Sequence, residues 1–203
     1  MTDRLCPDLD VSRETLGRLK DLEALVRKWT PRINLVSQAS LPDLWERHMR
    51  DSAQIYALAP ATESWVDLGS GGGFPGLVVA ALAMDVSPSR VTLIESDGRK
   101  AAFLRTAIRE LSLPARVLAQ RIEDAPPQSA GVISARALAP LPRLLDLAAP
   151  HLGPGGVAFF AKGAARDAEI FEARARWRFS LSETPSITNP EAAVLRIERI
   201  ERV

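Results

Sequence analysis

One stretch decides the fold class of this chain: Trp65-Val66-Asp67-Leu68-Gly69-Ser70-Gly71-Gly72-Gly73-Phe74-Pro75-Gly76. Its apolar first residues indicate the end of a buried strand, and glycines dominate the residues that follow. Pro75 stands where a first helical turn can do without a backbone N–H, and the apolar run 77–84 continues as a helix. A strand, a glycine turn and a helix in this order are typical of an α/β fold, in which a nucleotide-like ligand meets bare backbone N–H groups.

The carboxylate of Asp67 indicates which ligand this turn takes. Residues 71–76 match the G-x-G-x-x-G fingerprint of dinucleotide-binding folds, but a carboxylate that opens the turn would repel a pyrophosphate. S-adenosylmethionine has no phosphate, and its α-ammonium and sulfonium groups suit a carboxylate. The spacing of Asp67, Gly69, Gly71 and Gly73 also resembles the first motif of Rossmann-like methyltransferases. We therefore predict a methyltransferase rather than a dehydrogenase, with a purely structural turn as a third interpretation.

The composition is typical of a soluble globular protein, with 46% hydrophobic and 25% charged residues. The 203 residues predict a helical extension, 1–60, packed on a methyltransferase domain, 61–203. No apolar run approaches the ~20 residues of a membrane span, and the first residues lack the apolar core of a signal peptide. Cys6 is the only cysteine, which excludes an internal disulfide and fits a reducing compartment. With only His48 and His151 beside it, we expect no metal site, and we predict a cytoplasmic protein that binds no membrane.

Hydrophobic periodicity predicts two N-terminal helices and then alternating strands and helices. The first helix is expected over 10–29, ended by Thr30-Pro31, and the second from an N-cap at Ser40 to about Leu58. Strands are expected at 64–68, 91–95, 115–119, 131–136, 157–161, 176–183 and 192–200, and further helices at 75–84, 97–111, 141–149 and 164–175. Residues 153–156 have the composition of a turn.

The last two strands should pair antiparallel, because no helix-length stretch separates them. The α/β pattern therefore predicts a mostly parallel seven-stranded sheet with a terminal antiparallel pair and helices on both faces. Dehydrogenase folds usually lack that terminal pair, whereas class I methyltransferases have it. We predict the Rossmann-like class I methyltransferase fold, with the N-terminal helices packed over one end of the sheet.

Charged side chains end several predicted strands, and ligands of such sheets bind beyond the carboxyl ends of the strands. Glu95 ends the second strand, where it can accept both ribose hydroxyls or be an ordinary exposed acid. Ile122 and Glu123 follow the third strand, where they meet an adenine or form a simple turn. Arg136 and Lys162 end the fourth and fifth strands. We predict that they contact cofactor or substrate, the alternatives being a salt-bridged structural arginine and a solvated lysine.

Several motifs occur in one order along the chain: Asn34-Leu35, Arg47-His48 with Asp51-Ser52, Asp67-Leu68-Gly69-Ser70-Gly71-x-Gly73-Phe74-Pro75-Gly76, Ile133-Ser134-Ala135-Arg136-Ala137 and Lys162-Gly163. In this order they resemble the ribosomal small-subunit methyltransferase G family, also called glucose-inhibited division protein B, over nearly the whole chain. The Phe-Pro-Gly piece is the most distinctive, because methyltransferases in general do not require it. Gly72 stands where relatives often carry Ala or Pro, and the C-terminal end is the least family-like part.

The resemblance implies that S-adenosylmethionine is used to methylate N7 of one guanine in the decoding-region loop of 16S rRNA. The cofactor-binding residues are then predicted to be Asp67, Gly69, Gly71, Phe74, Glu95, Ile122, Glu123 and Arg136. The predicted substrate-binding residues are Asn34, Arg47, His48 and Asp51, and for the last three a solvated helix face is the alternative.

The partner implied by the resemblance is 16S rRNA or the small-subunit ribonucleoprotein, and we predict that the protein acts as a monomer. Because the net charge is only +1, attraction to RNA must come from a local patch. Arg174, Arg176 and Arg178 would share one face of a strand and form such a patch. The alternative is a solvated edge that discourages strand addition.

The residue inventory fits methylation of guanine N7. Methylating C5 of a pyrimidine uses a cysteine nucleophile, and Cys6 lies far from every predicted strand end. The Asn/Asp-Pro-Pro-aromatic loop typical of amino methylation does not occur in the chain. Guanine N7 has no proton to lose and needs no general base, so alignment of N7 with the methyl group can supply up to ~7–11 kcal/mol.

An Arg or Lys can orient the guanine ring through O6. Arg136 and Lys162 are the catalytic candidates, and the sequence does not rank them. A small-molecule methyltransferase of the same fold is one alternative function, and a non-catalytic binding module is another.

Overall fold

The sheet contains seven strands, which are β1 (Ser64–Leu68), β2 (Arg90–Ile94), β3 (Ala115–Leu118), β4 (Ala130–Arg136), β5 (Leu152–Lys162), β6 (Trp177–Pro185) and β7 (Ala193–Arg202). They occur in the order β3-β2-β1-β4-β5-β7-β6 in the computed structural model, which describes residues 5–7, 9–86 and 89–203. Strands β1 to β5 pair in parallel, and β7 pairs antiparallel with both β5 and β6. The predicted mostly parallel sheet with a terminal antiparallel pair is confirmed.

In the part of the chain that the structure describes, six α-helices cover the sheet, and these are α1 (Arg13–Ile33), α2 (Asp51–Leu58), α3 (Gly76–Val86), α4 (Gly98–Glu110), α5 (Leu141–Ala148) and α6 (Arg166–Arg174). A π-helical turn, Trp45–Arg50, leads directly into α2. Helices α1 to α4 contribute to the core on one face of the sheet, and α5 and α6 to the core on the other. Within the described ranges, no helix combines the length and the apolar character needed to cross a membrane.

Helix α1 docks on α3 through its N-terminal cap and an apolar stripe. Ser12 is the N-cap and accepts a hydrogen bond from the Thr15 N–H at 3.1 Å. The hydroxyls of Ser12 and Thr15 both donate to Asp85 of α3 at 2.8 Å. Leu19 and Leu22 are fully buried in the same core as α3. The N-terminal helices therefore share a core with the sheet, and the division of the chain near residue 60 stays a prediction.

The strand order reverses between β1 and β4, which makes this the switch point of the sheet. Asp67 of β1 lies in register with Ser134 of β4 on one side and with Leu93 of β2 on the other. The carboxyl ends of the parallel strands open at one edge, where the ligands of doubly wound sheets bind. The motifs around Asp67, Glu95, Ile122, Arg136 and Lys162 lie at or just after these strand ends, whereas those at Asn34, Arg47-His48 and Asp51-Ser52 lie in the N-terminal helical region.

Helix α1 does not end where the sequence predicted. It continues through Pro31 to Ile33, since a proline in the last turn removes only one backbone hydrogen bond. Asn34 closes the helix instead: its φ is 49°, and its N–H donates to the carbonyl of Thr30 at 2.9 Å. An asparagine tolerates this left-handed conformation better than most residues, because its short polar side chain can hydrogen-bond locally.

Two further predicted boundaries are wrong. Ser40 is not the N-cap of the second helix, because its hydroxyl donates to the carbonyl of Ser37 at 2.8 Å. The 153–156 segment is not a turn before β5 but part of β5, which begins at Leu152. A Cβ at Gly156 would lie 2.7 Å from the carbonyl oxygen of Ala130, so the glycine allows β5 to approach β4 closely there.

Candidate active site

The turn after β1 presents bare backbone because its glycines adopt positive φ angles. Gly69, Gly71 and Gly73 have φ values of 62°, 52° and 90°, a region that residues with a Cβ avoid. A Cβ at Gly73 would lie 2.3 Å from Cδ1 of Leu77, whereas a Cβ at Gly71 would meet nothing nearer than 3.8 Å. The space in front of Gly71 is therefore free for a ligand.

Asp67 holds this turn from below. Its side chain is 1% exposed, and its Oδ1 accepts a hydrogen bond from the hydroxyl of Ser134 at 2.7 Å. The indole N–H of Trp65 donates to the same hydroxyl at 2.9 Å, and the backbone N–H of Gly76 donates to Asp67 Oδ2 at 3.3 Å. Burial raises the pKa of Asp67 to about 6, although these hydrogen bonds oppose the rise.

Asp67 was expected to contact the cofactor directly, but the structure places its side chain beneath the glycine turn. Its carboxylate does not line the cavity above the turn, because β1 and β4 pair in register and direct it to Ser134. Through these hydrogen bonds the carboxyl group of Asp67 connects β1 to β4 and to the start of α3.

Glu95, at the end of β2, joins the turn to the next loop. Its carboxylate accepts hydrogen bonds from the N–H groups of Gly71 at 2.8 Å and Asp97 at 2.7 Å. Since an ionised carboxylate has about four acceptor positions, it retains capacity for two hydroxyl donors. Glu95 lines the cavity, as expected of a residue that binds a ribose.

A cavity of about 560 Å³ opens above the glycine turn. It is lined by seven of the eight predicted cofactor-binding residues, namely Gly69, Gly71, Phe74, Glu95, Ile122, Glu123 and Arg136. Sequence reasoning missed Lys100, Leu138 and Arg143, which also line it. In the sequence, Lys100 and Arg143 look like ordinary solvated residues of a helix. Only the packing of α4 and α5 against the sheet brings them to the cavity.

Ile122 and Glu123 form one end of this cavity. Ile122 is buried, and its carbonyl pairs with Nε2 of the buried His151 at 3.1 Å. Glu123 is exposed and forms ion pairs with Arg143 and, at 3.7 Å, with Arg121. A hydrogen bond from its own backbone N–H lowers the pKa of the Glu123 carboxyl most, and the charges of Arg121 and Arg143 lower it further. The end therefore offers an apolar surface with polar groups at its rim, which suits a purine ring.

Arg136 forms the other end and belongs to a cluster of three side chains, Arg136, Phe74 and His48, that contact one another. Its guanidinium lies over the ring of Phe74, 5.5 Å from the centroid. The ring of His48 packs on Phe74 at a centroid distance of 5.1 Å. Arg136 also donates to the carbonyl of Arg47 at 3.0 Å and to Nδ1 of His48.

His48 is neutral in this arrangement. Burial, reinforced by the charges of Arg136 and Arg47, lowers its pKa to about 3. Because Nδ1 accepts from Arg136, the proton resides on Nε2, which donates to the hydroxyl of Ser40 at 3.1 Å. Ser40, wrongly predicted as a helix cap, thus fixes the tautomer of His48.

A second cavity, of about 890 Å³, meets the first at Arg136 and Ala137. Among the residues that line it are Arg47, His48, Asp51 and Lys162. The structure therefore brings three of the four predicted substrate residues together beside the cofactor cavity. Asn34, the fourth, caps α1 and lines neither cavity, although its neighbour Leu35 lines the first.

Lys162 is more constrained than a solvated strand-end lysine. Its Nζ donates to the carbonyl of Ala139 at 2.8 Å and pairs with Glu169 at 2.5 Å. Glu169 also accepts the N–H of Leu141 at 2.8 Å. Lys162 therefore connects the end of β5 to the segment before α5, and one of its three N–H donors remains for the second cavity.

The proposed arginine patch of the C-terminal region does not exist as one face. Arg174 ends α6 with its guanidinium 4.9 Å from the ring centroid of Phe179, whereas Arg176 pairs with Asp146 at 3.2 Å. Helix α6 extends to position 174, so the three arginines do not lie on one strand.

The residues of the first cavity fit S-adenosylmethionine. The glycine turn leaves room that a Cβ would fill, Glu95 has free acceptor positions, and Arg136 retains N–H donors. Among residues 5–7, 9–86 and 89–203, no three His, Cys, Asp or Glu side chains are grouped to hold a metal ion.

Comparison with known proteins assigns the fold and the family. A methyltransferase from Geobacter sulfurreducens superimposes with a TM-score of 0.61 at 15% identity, over 94% of this chain and 92% of that one. TYW2 from M. jannaschii, in complex with AdoMet, gives 0.56 at 14% identity, over 83% and 78%. These similarities show the fold alone, and they confirm the predicted Rossmann-like methyltransferase class.

Residues 15–195 match the family model of rRNA small subunit methyltransferase G. A protein named ribosomal RNA small subunit methyltransferase G from Cereibacter sphaeroides is 51% identical over the full length of both chains. One of the same name from Rhodospirillum centenum is 54% identical over 94% of this chain and 87% of its own length. The chain belongs to the rRNA small subunit methyltransferase G family.

Proposed function

We propose that the protein transfers the methyl group of S-adenosylmethionine to N7 of one guanine in 16S rRNA. The observation that carries this proposal is the meeting of two cavities at Arg136 and Ala137. One cavity contains the glycine turn, and the other is lined by the polar residues of the N-terminal helices and β5. Membership of the family supports ribosomal RNA as the substrate.

In the first cavity, Glu95 would accept the ribose hydroxyls and Ile122 would pack on the adenine. The bare backbone at Gly69 and Gly71 would lie against the methionine portion. When bound, S-adenosylmethionine supplies a methyl group activated by its sulfonium. Asp67 would act indirectly, by holding the turn through Ser134 and Gly76.

On the RNA side, the residues orient the base and need not remove a proton. The nitrogens of His48 are both occupied by Arg136 and Ser40, so His48 positions the arginine. A guanidinium has five N–H donors, and Arg136 retains free ones for guanine O6 while N7 stays exposed to the methyl group. Lys162 offers a further donor. Alignment of N7 with the methyl group then supplies most of the acceleration.

The shape of the second cavity favours a nucleotide within RNA over a small metabolite. Its rim residues Asp43, Arg47, Gly163 and Asn189 are exposed, so the depression is open and a polymer can enter with its base turned inward. Whether 16S rRNA is bound free or in the small-subunit particle, the same depression would receive it. We expect the protein to act as a monomer in the cytoplasm without a metal.

Loss of one 7-methylguanine from small-subunit rRNA tests the proposal. This modification weakens the glycosidic bond, so borohydride and aniline cut the chain there, and primer extension stops at the cut. One stop should be present in wild-type rRNA, absent after deletion of the gene and restored by the wild-type copy. A Gly71→Val copy should not restore it. Identical patterns in wild type and deletion would refute the assignment and leave the small-molecule methyltransferase as the better function.

A further inference from the structure

The loop 186–192, between β6 and β7, forms part of the wall of the second cavity. Thr188, Asn189 and Ala192 line this cavity together with Arg136 and Lys162. The sequence identified this region only as a connection between two strands. Its position over the cavity deepens the proposed function, on which the following argument rests.

Two residues of α2 hold the loop in place. Oδ1 of Asp51 accepts hydrogen bonds from the hydroxyls of Ser186 at 3.1 Å and Thr188 at 2.5 Å. Gln54 donates to the carbonyl of Pro185 at 2.7 Å and accepts the N–H of Ile187 at 3.1 Å. Gln54 is buried and lines neither cavity. Its amide therefore acts on the site only through the loop.

The loop is also ordered by internal hydrogen bonds and by α6. The hydroxyl of Ser186 accepts the N–H groups of Thr188 and Asn189, both at 3.1 Å. Arg166 of α6 donates to the carbonyl of Glu191 at 2.9 Å. A polar loop tied on both sides is a rigid support for contacts with a substrate.

Asn189 is the loop residue with a free donor. Its Oδ1 accepts the N–H of Glu191 at 3.0 Å, which directs its amide oxygen back to the loop. Its Nδ2 has no hydrogen-bond partner among residues 5–7, 9–86 and 89–203. An amide donor matches guanine O6, which is an acceptor, and conflicts with the amino group that adenine carries at that position.

We infer that the 186–192 loop determines specificity for the target guanosine, with Asn189 as donor to the base and Asp51 and Gln54 as positioning residues. Asp51 then serves the substrate site by anchoring the loop, not by a charge contact with RNA. Holding the loop under this assignment requires the acceptor oxygen of Asp51 and not its charge. Burial lowers the pKa of Arg136, and the charge of Asp51 opposes this.

Steady-state kinetics of methyl transfer to small-subunit rRNA, with the affinity for S-adenosylhomocysteine from calorimetry, test the inference. Gln54→Met and Asn189→Ala should each lower kcat/KM for the RNA by about 10-fold or more, because small misplacements of reacting groups cost up to ~10²-fold. The cofactor affinity should not change. Gln128→Met is the matched control, since Gln128 hydrogen-bonds another loop, through Pro126, and lines neither cavity of the site.

Two substitutions of Asp51 distinguish its anchoring of the loop from a charge contact with RNA. Asp51→Asn keeps an oxygen that accepts from Ser186 and Thr188 and should retain most activity, whereas Asp51→Ala should lose it. Equal loss in both variants would overturn the anchoring role. Wild-type kinetics in Asn189→Ala, which changes an exposed residue, would overturn the specificity role. If the wild-type protein itself forms no 7-methylguanine, the proposed function fails instead.

Discussion

Asp67 should make the stability of the protein depend on pH between about 4 and 7. Its pKa is about 6 in the folded protein against an ordinary value of 3.8, and burial is the main cause. The folded state therefore binds more protons than the unfolded state in this interval, and the free energy of unfolding falls as pH rises through it. The difference between the two pKa values corresponds to about 3 kcal/mol, a little under half of it between pH 5 and pH 7.

The assay is urea unfolding of wild type and Asp67→Asn, without cofactor, at several pH values from 4 to 7.5. The asparagine cannot ionise, so the difference in unfolding free energy between the two proteins isolates the contribution of Asp67. Relative to the variant, the wild type should gain stability as the pH falls. Asp124→Asn, which removes an exposed carboxylate, is the control. A difference that stays constant with pH, or that shrinks as the pH falls, would refute the assigned burial of the Asp67 charge.

Gly71→Val should abolish binding of S-adenosylhomocysteine in calorimetry, because its side chain would enter the free space above the turn. Gly155→Val is the matched control: Gly155 also has a positive φ, 70°, so it carries a similar strain of ~1–3 kcal/mol away from the site. Unchanged affinity in Gly71→Val would contradict the cofactor position. Arg136→Ala and Lys162→Ala should each lower methyl transfer by at least ~10-fold, since each removes a charged donor from the site. Wild-type turnover in both would mean that these strand-end charges are structural.

The sequence alone predicted the features that depend on short stretches of chain. The strand, glycine turn and helix around β1 follow from hydrophobic period and from glycines that must adopt positive φ, and both are local properties. The strand ends that carry Glu95, Arg136 and Lys162 were predicted for the same reason. Because parallel strands end at one edge of a sheet, their positions sufficed to place these residues at that edge, where Arg136 lines the first cavity with Glu95 and the second with Lys162.

The sequence was less reliable where an element depends on what it packs against. Helix α1 passes Pro31, and the 153–156 segment joins β5 through the close approach of Gly156 to Ala130. At Gly156 a turn-forming residue is overridden by a tertiary contact, whereas α1 passes the exposed Pro31 because a proline in the last turn removes only one backbone hydrogen bond. Ser40 is a comparable case, because its hydroxyl binds Ser37 and His48 rather than the start of a helix.

The tertiary structure alone decided what each polar side chain of the site does. Asp67 is directed to Ser134 instead of the ligand, Lys162 is paired with Glu169, and Gln54 holds Ile187 in the loop above the second cavity. Two of these contacts join residues that are far apart in the chain, and all three depend on how strands and helices pack. A local pattern can predict that a charge or an amide lies near a strand end or on a helix face, but its partner is determined by the neighbouring elements that the fold brings to it.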